Sequence, residues 1–260
     1  MPRIGAPELE DYPWFPARLR DAMTGFLRVA SEVLRMSAVA EPLVREAMAA
    51  AGTRRIVDLC SGGGGPVLSL AKRLHAGSVG DVSVVLTDKF PNLGAFARAE
   101  KELPGIVSSR SESVDATAVP PNLDGVRTIF NALHHLPPDL ARAVFADAAA
   151  KRQPILSFEF VERSAQGAAL ASLAFVGAPV LMPFVRPRRL DNFALTYLLP
   201  VLPVAIAWDG VASCLRSYSV EELREVVAPL ERADYMFRVE RRRVPWTMAS
   251  VTCVVGMPVT

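Results

Sequence analysis

The feature that most constrains the fold is an alternation of short apolar runs and helical stretches, which begins at Arg54. The apolar runs have the length of buried strands, and the stretches between them have apolar residues at helical spacing. The runs are 56–59, 82–87, 126–130 and 154–160, and the helical stretches are 67–74, 93–103 and 140–150. This alternation predicts βαβ units and an α/β fold with a doubly wound, mostly parallel sheet.

The flanks of this region predict further elements. Residues 19–51 have the spacing of two helices laid against the main fold, with Pro42 opening the second helix through Met48. Near the end, Ser219 precedes two acidic residues as a helix N-cap would, and predicts a helix to about Val227. Residues 236–243 and 247–255 resemble two final strands that close in a hairpin.

A glycine-rich turn follows the first apolar run. Four glycines at 62–65 allow the backbone to turn tightly and to approach a ligand closely, and Pro66 suits the first turn of the next helix. The N–H groups of that turn favour a carboxylate or a phosphate. A dinucleotide fingerprint is excluded because Val67 stands where its third glycine is needed, and no Gly-Lys-Ser/Thr is present for a P-loop.

Asp58, Cys60, Gly62 and Gly64 match the pattern Asp/Glu-x-Gly-x-Gly-x-Gly, with Cys60 in place of a usual glycine. This segment resembles motif I of the class I S-adenosylmethionine-dependent methyltransferases. The resemblance implies a seven-stranded Rossmann-like sheet and S-adenosyl-L-methionine as cofactor.

Three later segments strengthen the resemblance, which covers about residues 54–162. Asp88 follows the next strand and would hold the ribose hydroxyls, unless it caps the helix that begins near Pro91. Asp115 stands at the position where members of this family usually contact the adenine amino group of the cofactor. A pair of histidines follows the strand at 126–130. The residues assigned to the cofactor are Asp58, Cys60, Ser61, Gly62, Gly64, Asp88, Lys89, Asp115, Ala116 and Asn131.

Two of the three histidines fall together at the expected reaction site. His135 is the first candidate for a general base or acceptor-orienting group, His134 the second, and Glu159 at the end of the next strand the third. The alternative is that one histidine packs under the sheet, the other bonds the backbone, and Glu159 is a buried structural acid.

The segment 164–208 contains two long uncharged runs separated by Arg186, Arg188, Arg189 and Asp191. The favoured interpretation is a helical apolar insert that forms a lid over the acceptor, because prolines interrupt it. The alternative is a peripheral membrane contact or membrane-dipping hairpin with the arginines at its turn.

Aromatic and polar residues outside the core are candidates for contact with the acceptor. They are Tyr12, Trp14, Asp209, Arg216 and Tyr218. A plain hydrophobic anchor is the alternative for the aromatic stretch at 12–16. A tight Asp209-Gly210 turn and an Arg216–carboxylate pair are the alternatives for the later residues.

The sequence predicts four parts: an N-terminal helical cap (1–52), a cofactor-binding core (53–163), the insert (164–208) and the rest of the core (209–260). A net charge of +2 provides no electrostatic argument that the protein binds nucleic acid. Three scattered cysteines and an N-terminus without signal-peptide character favour a cytoplasmic location. The histidines and cysteines form no evident metal-ligand pattern.

We expect a methyltransferase for a small, rather apolar acceptor, and we favour methylation of oxygen over methylation of nitrogen or carbon. The alternatives are a non-methylating relative or a membrane-associated lipid-binding protein with a vestigial cofactor site. The sequence does not indicate the oligomeric state.

Overall fold

A computed structural model describes residues 2–77, 80–245 and 247–259. The helices are α1 (Ala17–Val33), α2 (Ser37–Ala51), α3 (Gly65–Ala76), α4 (Leu93–Glu102), α5 (Pro138–Ala150), α6 (Ala165–Ser172), α7 (Ala174–Leu181), α8 (Leu190–Phe193), α9 (Val201–Arg216) and α10 (Val220–Val227). The strands are β1 (Arg55–Leu59), β2 (Ser83–Leu86), β3 (Val107–Ser109), β4 (Val126–Phe130), β5 (Ile155–Glu159), β6 (Tyr235–Arg243) and β7 (Ser250–Pro258).

The seven strands form one sheet in the order β3-β2-β1-β4-β5-β7-β6. The first five strands run parallel, whereas β7 pairs antiparallel with β5 and β6. Strand order reverses beside β1, so the carboxyl ends of β1 and β4 flank the crevice where doubly wound sheets bind ligands. The predicted fold class, including the closing hairpin, is confirmed.

Helices cover both faces of the sheet and give it two hydrophobic cores. On one face, α2, α3 and α4 pack against the strands, with Leu43, Leu70 and Phe96 fully buried. On the other face lie α5 and α10, whose Phe145 and Leu223 are fully buried. Both layers hold the carboxyl edge of the parallel strands in a fixed position.

The helix α2 corrects the predicted place of Pro42. The helix begins at Ser37, so Pro42 lies inside it instead of opening it. Val39 and Ala40 are buried in the sheet core ahead of the proline. Their packing outweighs the helical hydrogen bond that Pro42 cannot make.

A third cluster joins the N-terminal region to the insert. Phe15 and Phe26 pack with Met182 of the insert and with Leu202 and Ile206 of α9. The stretch at 12–16 is not helical, as expected, and its Phe15 is the buried hydrophobic anchor. The third cluster therefore places α1 and the insert together at one end of the molecule.

The helix α9 continues across the predicted boundary between residues 208 and 209. The Asp209-Gly210 turn is therefore wrong, because both residues lie within a regular helix. Packing explains the difference: α9 packs against α6, and the Asp209 carboxylate accepts from the Leu9 and Glu10 amides instead of closing a local turn.

The insert has a large apolar surface. Residues Ala165–Phe184 form, across α6 and α7, one helical stretch long and apolar enough to cross a membrane, and only 11% of its most apolar window is buried. A second candidate, Leu190–Leu198 with Val201–Arg216, is bent by 80°. These are properties of length and composition within the described residues.

Candidate functional site

The glycine turn after β1 adopts a backbone that explains its sequence. Cys60, Gly62 and Gly64 all have left-handed conformations, with φ values of 55°, 53° and 75°. Cys60 thus adopts the conformation for which the resembled motif uses glycine. Gly63 is needed for another reason, since a Cβ there would lie 2.4 Å from Cγ2 of Thr24 on α1.

Asp88 lies at the end of β2 and contacts this turn directly. Its Oδ2 accepts a hydrogen bond from the Gly62 amide at 2.9 Å, and its Oδ1 accepts one from the Phe90 amide at 2.8 Å. The helix-capping alternative for Asp88 is wrong, because Asn92 caps α4 by accepting from the Ala95 amide. The structure therefore brings Asp88 to the glycine turn.

The other predicted cofactor residues divide into an exposed and a buried group. Lys89 donates to Asp115 at 2.8 Å, and this bond, with those from Thr117, lowers the pKa of Asp115 to about 2. Ala116 is buried beside them. These residues lie beyond the ends of β2 and β3, on the same edge of the sheet as the glycine turn.

Asp58 lies inside the sheet and not at its surface. Its Oδ1 accepts from the Thr128 hydroxyl at 2.6 Å, and burial raises its pKa to about 7. Ser61 connects the turn to β2, because its hydroxyl accepts from the Thr87 amide. Asn131 follows β4 with a φ of 51°, and its Oδ1 accepts from the Phe160 amide.

The reaction-site candidates form a buried network after β4 and β5. His134 Nδ1 lies 2.5 Å from Oε2 of Glu159, whose Oε1 accepts from the Leu133 amide at 2.9 Å. The other ring nitrogen of His134, Nε2, lies 3.4 Å from Oε1 of Glu8. Burial acts to lower the pKa of His134, but Glu159 and Glu8 outweigh it and raise that pKa to about 9.

His135 lies beside His134, with 4.3 Å between the ring centroids, and is partly exposed. Its Nδ1 lies 3.0 Å from Oδ1 of Asp11, and its Nε2 lies 3.6 Å from Oε2 of Glu8. Arg216 pairs with both Glu8 and Asp11, which confirms the ion-pair alternative for this residue. Burial acts to raise the pKa of Glu8, but the two histidines and Arg216 hold that pKa below its ordinary value.

An N-terminal segment, residues 2–11, carries Glu8 and Asp11 into this network. Asp209 fixes the segment, because its two carboxylate oxygens accept from the Leu9 and Glu10 amides at 2.7 and 3.2 Å. Burial raises the pKa of Asp209 to about 6. Arg3 of the same segment donates to the carbonyls of His134 and Leu136.

The five predicted acceptor residues are only partly brought together. Asp209 and Arg216 belong to the network, and Tyr218 borders it by donating its hydroxyl to the Leu136 carbonyl at 2.6 Å. Tyr12 and Trp14 stack on each other with 5.3 Å between ring centroids, outside the network and open to solvent.

Sequence reasoning missed Glu8 and Asp11. Neither acid belongs to a recognisable local motif, and their partners lie more than 120 residues away. The one available signal was compositional: three acids, Glu8, Glu10 and Asp11, stand just before the aromatic stretch.

Comparisons with known proteins extend this description. No protein-family model matches the sequence, and no curated protein matches it either. An O-methyltransferase from neocarzinostatin biosynthesis, solved with S-adenosylmethionine and 2-hydroxy-5-methyl naphthoic acid, is 19% identical with a TM-score of 0.47, covering 81% of this chain and 50% of that chain. An O-methyltransferase family protein from Burkholderia thailandensis is 17% identical with a TM-score of 0.47, covering 86% and 56%. An O-methyltransferase family 2 protein from Planctomyces limnophilus, complexed with apigenin, is 14% identical with a TM-score of 0.46, covering 79% and 50%.

The chain spans about half the length of these solved structures. A seven-stranded, mostly parallel sheet with a glycine turn after β1 is the fold that the sequence resemblance implies. The chain has the α/β fold that this resemblance implies. In this fold the glycine turn and Asp88 lie at the carboxyl edge of the sheet, and the His134 network follows β4 and β5 at the same edge.

Proposed function

We propose that this protein is an S-adenosylmethionine-dependent methyltransferase that methylates an oxygen of a small, rather apolar metabolite. One observation carries the proposal: the carboxylate of Asp88 meets the glycine turn at the carboxyl edge of the sheet. The N-terminus of α3, which follows the turn, suits the carboxylate of the cofactor, and an aspartate after the next strand suits its ribose hydroxyls.

The cofactor supplies an activated methyl group, so this chain's residues have to bind, orient and exclude water. Alignment of the reacting groups can contribute roughly 7–11 kcal/mol to lowering the barrier. The network of Glu159, His134 and His135 lies at the neighbouring strand ends, where it can orient an acceptor hydroxyl. Their catalytic role stays a prediction, with His135 the more accessible of the two histidines.

Cofactor binding is tested by calorimetric titration with S-adenosylmethionine and S-adenosylhomocysteine. We expect micromolar binding of both. The Asp88 carboxylate would accept two charge-assisted hydrogen bonds from the ribose hydroxyls, each worth about 1.5–3 kcal/mol. Asp88→Ala removes both, so the affinity for the cofactor should fall at least about a hundredfold. Asp124→Ala is the matched control, because Asp124 is an exposed aspartate that pairs with Arg55 at the start of β1. Equal affinity in the two variants would remove Asp88 from the site.

The reaction itself is tested with labelled S-adenosylmethionine and a panel of apolar hydroxyl compounds. S-adenosylhomocysteine should form in step with methylated product. Turnover of an acceptor without S-adenosylhomocysteine would instead identify a non-methylating relative that retains the fold.

We also propose that the insert makes a peripheral contact with an anionic membrane, from which an apolar acceptor could enter. Leu173, Val176 and Val180 lie at helical spacing and are each about 60% exposed. Arg186 and Arg188 follow them, and basic side chains beside an exposed apolar face favour binding to anionic lipid. The alternative role of the insert, as an acceptor lid, shares these residues.

Flotation with phosphatidylcholine vesicles, with and without phosphatidylserine, tests this contact. The protein should float with the anionic vesicles, and a Val176→Asp/Val180→Asp variant should not. Val33→Asp is the control, because Val33 is equally exposed but lies at the end of α1. Absence of flotation by the unaltered protein would favour the lid. A cytoplasmic location is likewise our proposal, and cell fractionation tests it.

A further inference from the structure

The Glu8–His134–His135 cluster has an unusual feature in its deepest member. His134 is 1% exposed and Glu8 is 2% exposed. Nδ1 of His134 is used by Glu159, but its buried Nε2 makes no hydrogen bond with any described residue. A buried ring nitrogen without a hydrogen bond is costly unless something else binds it.

We propose that Glu8, His134 and His135 bind a divalent transition-metal ion of the zinc class. The ligand atoms are one carboxylate oxygen of Glu8 and the Nε2 atoms of both histidines. This site was not expected from the sequence, because Glu8 is separated from the histidines by more than 120 residues.

The distances between the ligand atoms fit such an ion. Zinc lies about 2.0–2.1 Å from nitrogen and oxygen ligands in a tetrahedral site, which places neighbouring ligand atoms about 3.3 Å apart. Nε2 of His134 lies 3.4 Å from Oε1 of Glu8, and Nε2 of His135 lies 3.6 Å from Oε2 of the same carboxylate. The three groups offer ligand atoms that all lie within 4.8 Å of one another.

Both histidines are oriented as metal ligands usually are. Metal-bound histidines commonly donate their other ring N–H to a carboxylate, which fixes the tautomer and the ring. Here the carboxylate of Glu159 is hydrogen-bonded to Nδ1 of His134, and the carboxylate of Asp11 is hydrogen-bonded to Nδ1 of His135. An ionised carboxylate only accepts, so each Nδ1 carries a proton and each Nε2 faces Glu8, where the ion would replace any proton on Nε2.

The surrounding charge also favours a cation. The carboxylates of Glu8, Asp11 and Glu159 surround the two histidines. The guanidinium of Arg216 offsets part of this charge by pairing with Glu8 and Asp11. Three protein ligands leave a fourth position, and His135 is the exposed side from which an acceptor oxygen could reach it.

This last role rests on the proposed methyltransferase function. A metal-bound hydroxyl is easier to deprotonate, so the two histidines would serve as ligands in place of a general base. Binding of the ion itself does not depend on that function, so the two can fail separately.

The test is a titration of the chelator-stripped full chain with Zn²⁺ and with Co²⁺, without the cofactor. We expect one ion per chain, and for Co²⁺ the visible absorption of a four-coordinate site. Glu8→Gln and His135→Ala should each weaken binding at least about a hundredfold. Glu159→Gln, which only repositions His134, should weaken it by about ten- to a hundredfold. His75→Ala is the matched control, since His75 is the remaining histidine and lies exposed on α3.

The outcomes divide cleanly. Loss of stoichiometric binding in Glu8→Gln, with binding kept in His75→Ala, supports the site, provided that both variants show the thermal melting of the parent. No binding by the parent, or equal binding in Glu8→Gln and the parent, overturns it. A metal-binding chain that transfers no methyl group would refute the proposed function while leaving the site standing.

Discussion

The buried ion pair between Arg127 and Asp147 should decide much of the stability of β4, the strand that leads to His134. Arg127 is 1% exposed, and its Nη1 donates to Oδ2 of Asp147 on α5 at 2.7 Å. Nε of Arg127 already lacks a partner among the described residues. Asp147 also accepts from the Val119 amide.

Asp147→Ala would leave the guanidinium charged and buried without a counter-ion. Removing one partner of a buried pair costs about 3–5 kcal/mol. For a chain of this size that corresponds to a fall in Tm of roughly 6–20 °C. The double variant Arg127→Met/Asp147→Leu replaces the charges with apolar groups, so it should recover most of the loss.

Urea unfolding and thermal melting followed by circular dichroism measure both effects. Asp124→Ala is the control, because its pair with Arg55 has the same 2.7 Å distance while Asp124 is 69% exposed. An exposed pair contributes about 0–1 kcal/mol. If Asp147→Ala costs no more than Asp124→Ala, burial does not set the strength of this pair and the reasoning is refuted.

Three further predictions concern the sheet and its turns. Burial raises the pKa of Asp58 from 3.8 to about 7, so the protonated carboxyl contributes stability that is complete below about pH 4 and is lost as the pH rises to about 7. In urea unfolding across this range, the free energy of unfolding of Asp58→Asn should fall less steeply with pH than that of the parent. Cys60→Gly relieves a left-handed conformation costing about 1–2 kcal/mol, but it adds about 0.4–1 kcal/mol of unfolded-chain entropy and removes a side chain that packs against the core. These effects nearly cancel, so the free energy of unfolding should change by less than about 1 kcal/mol, and a loss of more than about 2 kcal/mol in urea unfolding would contradict this. Gly125→Ala should lower Tm more than Gly105→Ala, because its Cβ would lie 2.7 Å from the Arg55 carbonyl oxygen whereas Gly105 has open space; equal losses would show that backbone conformation alone matters.

Local patterns predicted the elements whose signals are local. Residues 126–130 were predicted as a strand and form β4 with the same bounds. Ser219 was predicted as an N-cap, and its hydroxyl accepts from the Glu222 amide in a capping box. The strand β3 was not predicted, because three residues are too few to show a periodic pattern.

Patterns failed where distant packing decides the structure. Asp209-Gly210 carries a turn signal, yet both residues lie inside α9, where the Asp209 carboxylate binds the distant Leu9 and Glu10 amides. The histidines were predicted as a pair, but Glu8 was not, since nothing near residue 8 indicates which side chains will surround it. His134, His135, Glu159, Asp209 and Arg216 are therefore visible in the sequence as candidates, whereas Glu8 and Asp11 join the network only in the folded chain.

The N-terminal segment can attach to α9 only after α9 has been synthesised. Leu9 bonds Asp209 across 200 residues, and Glu8 bonds Arg216 across 208. A ribosome therefore makes Glu8 about 200 residues before its partners on α9. Nascent chains that stop before α9 would hold a formed glycine turn and no completed histidine network. The histidine network would thus be completed only after α9 has been synthesised.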